Sequence, residues 1–62
     1  MKFRYNDKVI VVKDEENDGF YVGLTGLVND KMKSENGDIY VVYEEKGMHS
    51  PLTFREDQLQ KI

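Results

Sequence analysis

Six residues, "DEENDG" at positions 14–19, hold the densest group of potential ligand oxygens in the chain. Asp14, Glu16 and Asp18 fall on the first, third and fifth positions of a calcium loop of the helix–loop–helix kind, and Gly19 falls on its sixth. The twelfth position, where a bidentate glutamate should complete the shell, is Thr25, and no helical periodicity flanks the run. It reads as a solvated acidic loop. His49, the one histidine, stands beside Ser50 and a few residues before Asp57. A triad also needs an oriented base and an exposed nucleophile beside an oxyanion hole, and no strained turn is apparent at either serine. "GLTG" at 23–26 lacks the lysine and the spacing of a phosphate-cradling loop. A non-enzymatic protein is therefore expected, with neither metal nor cofactor.

Binding a polyanion would need cations gathered on one side. Lys31 and Lys33 lie two apart, hence on one face of a strand, and Lys2, Arg4 and Lys8 cluster near the start. Together they would reach about 3–5 phosphates, which gives only weak, salt-sensitive binding. Asp30, Glu35 and Asp38 are interleaved with the lysine pair, and the formal net charge is −3. That balance disfavours general attraction to nucleic acid or to anionic lipid. No apolar run approaches the roughly 20 residues that span a bilayer. "MKFRYNDK" has no secretory pattern, and cysteine is absent. A cytoplasmic domain is expected.

The elements that must position these residues follow from punctuation. At 62 residues, 39% hydrophobic and 34% charged, the chain has material for a single domain over residues 1–62 with one small core. "NDG" at 17–19, "GLTG" at 23–26, "NG" at 36–37 and "GMHSP" at 47–51 separate runs rich in Val, Ile, Tyr and Phe. This spacing predicts an all-β fold, a small barrel of four to five short antiparallel strands over 8–13, 26–32, 38–44 and 51–54, with a piece at 59–62. Asn36-Gly37 favours a tight hairpin between the second and third strands. Glu56 and Asp57 can open a short terminal helical turn that brings Leu59 and Ile62 down on the core. Gly23 and Gly26 are expected to bend the chain from loop into strand and to leave room for the barrel to close.

The stretch "NDKVIVVKDEENDGFYVGLTGLVNDKM" resembles the KOW element of SH3-like domains. Asp7, Val9 and Val11 match its turn and first strand; Tyr21, Gly23, Gly26 and Val28 match its aromatic-x-Gly-x-x-Gly-x-Val segment. The resemblance covers about the first half of the chain. A more distant similarity, in the "KV-x-V … G-x-V" rhythm, is to the SH3-like accessory subunit of photosystem I. The resemblance implies an SH3-like barrel and, as in ribosomal and transcription-factor members, RNA contact through lysines and arginines beside the glycines. Here those positions are Val22, Leu24, Thr25 and Leu27, so an RNA- or ribosome-associated role through Lys31 and Lys33 is the second reading. The tyrosine-rich acidic motif that lines a polyproline groove is also missing, and "GFY" at 19–21 is a poor substitute.

Two runs point to a partner. "VIVV" at 9–12 and "IYVVY" at 39–43 are apolar on both strand faces. Val9, Val11, Ile39, Val41 and Tyr43 are expected to fill the interior, which turns Ile10, Val12, Tyr40 and Val42 outward. An exposed apolar patch of that kind marks an interface. The expected function is a binding module that meets another protein, or a second copy of itself, through Tyr40, Val42 and the loop aromatics Phe20 and Tyr21. A third reading has the acidic run 14–18 presented to a basic protein.

Overall fold

β-branched and aromatic residues pack well on a pleated surface, and each run of them becomes a strand. The computed structural model describes residues 3–35, 37–47 and 51–62. Its strands are β1 (Lys8–Val11), β2 (Thr25–Ser34), β3 (Gly37–Glu44), β4 (Leu52–Arg55) and β5 (Leu59–Lys61). Single 3-10 turns form at Glu15–Asn17 and Glu56–Gln58. All pairings are antiparallel, in the order β4-β3-β2-β1-β5. The expected all-β class, the strands and the terminal helical turn are all present. His49, Ser50 and Asn36, weighed above for a triad and a hairpin, lie outside the described residues. Gly37, at φ +113°, closes the hairpin opposite Ser34 instead of sitting at its centre. Among the described residues no helix is long and apolar enough to cross a membrane.

The sheet is forced to curl. β4 and β5 form its two edges, yet only the three-residue Glu56–Gln58 turn joins them. Five flat strands at about 4.8 Å spacing would put the edges ~19 Å apart. Four extended residue steps cover at most ~14 Å, and a 3-10 turn covers less. The edges must therefore approach one another, and the sheet rolls around one interior.

That interior holds Phe3, Val9, Val11, Val28, Tyr40, Val42, Phe54 and Leu59, with Tyr21, Leu24 and Leu52 packed against them. Phe3 meets Tyr40 edge to face at 5.1 Å between ring centres, and the Phe3 amide donates to the Tyr40 hydroxyl at 3.4 Å. Here the sequence-based expectation fails. Tyr40 and Val42, expected outside, are 0% exposed, while Tyr43, expected inside, is 49% exposed.

The cause is one residue in β2. From the hairpin end Ser34 faces Gly37, Met32 faces Ile39 and Asp30 faces Val41; beyond that point Val28 faces Val42. Asn29 is the extra residue of a β-bulge. Had Asn29 taken a paired place in a regular ladder, Val28 would face Tyr43, and with Val28 in the core β3 would present Ile39, Val41 and Tyr43 to it.

Candidate functional site

The loop between β1 and β2, residues 12–24, is organised by its first carboxylate. Asp14 is buried. Its Oδ1 accepts from the Asn17 side-chain amide at 3.0 Å and its Oδ2 from the Tyr21 main-chain N–H at 3.0 Å. Its own carbonyl accepts from the N–H of Gly19 at 2.8 Å. One side-chain and one main-chain donor satisfy a carboxylate that would otherwise be costly to bury. The acidic run that resembles a calcium loop thus spends its best oxygens on folding itself.

This fixes the aromatics. Tyr21 is held edge-on to Phe54 of β4, with ring centres 6.0 Å apart. Phe20 stacks edge-on against Tyr21 at 4.9 Å and is 69% exposed. Between this loop and β4 runs an open groove of about 430 Å³. Asn17 and Tyr21 line it from the loop and residues 52–55 from β4, with Ile39 and Gln58 also in its lining. The volume lies within the range of ordinary ligand sites.

The groove's rim is ionic. Arg55 donates from Nε to Asp57 at 3.0 Å and through its guanidinium to Glu16, with Glu15 at 3.5 Å. Lys13 lies 3.3 Å from Asp57. The Arg55 hydrogen bond holds the Glu16 carboxyl below its ordinary value. It does the same for Asp57, with Lys13 adding to the effect. Residues 13–18 and 55–57 together hold six carboxylates and two cations, so they carry −4 while the rest of the chain carries +1. Gln58 is buried: its Oε1 accepts from the Arg55 N–H at 2.9 Å, and its Nε2 donates to the Lys13 carbonyl and to Glu16, both at 3.3 Å.

Of the residues expected to bind protein, Tyr21 lines this groove and Phe20 packs against Tyr21. Tyr40 and Val42 do not, because they are core. Lys31 pairs with Asp38 at 3.8 Å, and Lys33 stands directly across from Asp38; neither lysine lines the groove. Gly23 and Gly26 shape the entry to β2. Ile39, Arg55 and Gln58 were not signalled by the sequence, because the groove forms only when residues far apart in the chain are brought beside β4. The groove offers apolar side chains, charges and main-chain groups. No family model matches the chain, and neither a curated protein nor a solved structure matches it.

Proposed function

We propose that the protein is a small, non-enzymatic, SH3-like binding module whose groove holds an extended segment of another protein. The observation that carries this reading is the aromatic wall. Asp14 fixes the main chain of Tyr21, Tyr21 packs on Phe54, and an exposed Phe20 packs edge-on against Tyr21. Buried, oriented aromatics of this sort anchor interfaces. Selection from a displayed peptide library tests it. Enriched peptides should lose binding at least tenfold to Phe20→Ser and Ile39→Ser variants that keep the wild-type circular dichroism spectrum. Peptides indifferent to both substitutions, or no enrichment at all, would remove the reading.

A second reading has its own observation. On the outer face of the sheet Leu27 stands opposite Tyr43 and Met32 opposite Ile39, with Val41 between. Leu27, Met32 and Tyr43 are exposed. This stripe takes the place expected for Tyr40 and Val42, and it supports self-association. Light scattering across a concentration series decides it: a dimer that Tyr43→Ser returns to monomer supports the stripe, and a monomer throughout excludes it.

A further inference from the structure

We infer that the groove takes its ligand by strand addition, with an extended cationic segment of another protein hydrogen-bonding to the main chain of Thr53 on the free edge of β4. This rests on the groove reading above and names the class of segment it accepts.

The geometry of β4 comes first. Four consecutive residues, Leu52, Thr53, Phe54 and Arg55, line the groove. Alternate residues of a strand face opposite sides of a sheet, so a groove that touches all four runs along the strand's edge. β4 is an edge strand, paired only to β3.

The hydrogen-bond phase of that pairing can be read from two ends. The Arg55 N–H donates to the Gln58 side chain, so Arg55 and its neighbour Ile39 form a non-hydrogen-bonded pair. Antiparallel ladders alternate, which makes Phe54–Tyr40 and Leu52–Val42 the bonded pairs and Thr53–Val41 an unbonded one. The β2–β3 hairpin agrees. Its closing pair, Ser34 and Gly37, is bonded in a two-residue turn, so Gly37, Ile39 and Val41 turn to β2 and Tyr40 and Val42 to β4. The N–H and C=O of Thr53 therefore point away from the sheet, at an exposed residue on the groove.

Such an edge is a template for another strand. It is a short one. Pro51 has no N–H to offer, and the Arg55 N–H is already occupied by Gln58. Pairing centred on a single residue gives little affinity by itself, so the surrounding charge decides the occupant. Six carboxylates against two cations attract lysine or arginine side chains projecting from an added strand. The same charge argues against a second copy of this chain on the edge, because each copy would bring a net negative charge to a negative groove.

The test uses an end-blocked octapeptide of alternating lysine and valine and its glutamate–valine counterpart, followed through the backbone amide resonances of the protein. The lysine peptide should shift the Thr53 amide and slow its hydrogen exchange. Its affinity should fall steeply as salt rises from about 50 to about 500 mM. Thr53→Pro, tolerated where an edge N–H faces outward, should weaken binding about tenfold through the lost main-chain bond. The glutamate peptide should not bind. A Thr53 amide unmoved at saturation, an unchanged affinity in Thr53→Pro, or equal binding of the two peptides overturns the inference. If library-selected peptides still need Phe20 and Ile39 under those results, strand addition falls and the groove stands. If neither library nor lysine peptide engages the groove, both fall.

Discussion

Gly23 and Gly26 are the same residue type kept for two different reasons. Gly23 sits at φ +94° with nothing near the place of a Cβ, so its constraint is backbone conformation. Gly26 has an ordinary φ, but a Cβ there would lie 2.5 Å from the Tyr43 carbonyl oxygen and 2.8 Å from a Val42 methyl. Its constraint is the close approach of β3. Gly23→Ala should cost about 1–2 kcal/mol and Gly26→Ala about 1–3 kcal/mol, both read from urea midpoints. A D-alanine in synthetic protein separates the causes: at position 23 it should restore stability, since a D residue favours positive φ. If D-alanine at 23 is as damaging as L-alanine, the conformational account is wrong. Arg55 gives a second prediction. Glu16 and Asp57 have folded pKa values below their ordinary 4.5 and 3.8, chiefly through Arg55 hydrogen bonds. Carboxyls depressed in the folded state stabilise it above those ordinary values, and that contribution disappears as pH falls through the folded ones. Arg55→Met should therefore flatten the loss of stability on acidification below about pH 4.5. Parallel acid limbs for wild type and variant would show that these exposed pairs contribute nothing to folding.

Among the elements, β3 and the bulge in β2 beside it mark the boundary of what the sequence discloses. The strands, their order of appearance and the terminal turn were legible, because turn residues and β-prone runs are local signals. Which face of β3 enters the core was not. "IYVVY" is apolar at every position, so alternation alone cannot rank its two sides. The choice is made at Asn29, an unremarkable polar residue that the ladder skips, so that Val28 faces Val42 and shares the core with it. The groove was legible in part: Phe20 and Tyr21 were visible as loop aromatics, whereas the acidic run gave no sign that Asp14 would turn inward and hold them. Deleting Asn29 should remove the bulge and leave Val28 opposite Val42, with Tyr40 and Val42 still inside. The deletion variant should therefore keep a dispersed, wild-type-like amide spectrum at 25 °C. A collapsed spectrum would mean that the face of β3 that enters the core is not set by the residue the ladder skips.

For the whole molecule the decisive place is where the rolled sheet meets itself, and Gln58 occupies it. The residue lies between β4 and β5, the two edges. Its carbonyl accepts from the Val12 N–H at 2.8 Å. Its side chain caps Arg55 at the end of β4 and reaches Lys13 and Glu16 in the groove-forming loop. One buried amide thus couples closure of the sheet to the shape of the site. Gln58→Ala leaves the Arg55 N–H and the Lys13 carbonyl without their partner, which should cost about 1–3 kcal/mol and loosen the loop. Gln58→Glu is the sharper probe. A neutral carboxyl at this position can still accept from Arg55 and donate towards Lys13, whereas an ionised one loses the donor and confronts Glu16. The introduced group should therefore have its folded pKa raised by burial and by that neighbour. Stability should be close to wild type near pH 4 and decline as pH rises through neutrality, the reverse of the acid sensitivity expected of the wild type. Urea titrations of both proteins at pH 4, 5.5 and 7 measure this directly. Curves that keep a constant separation across the three would show that Gln58 does not join the two edges through its amide, and that closure depends on the apolar interior alone.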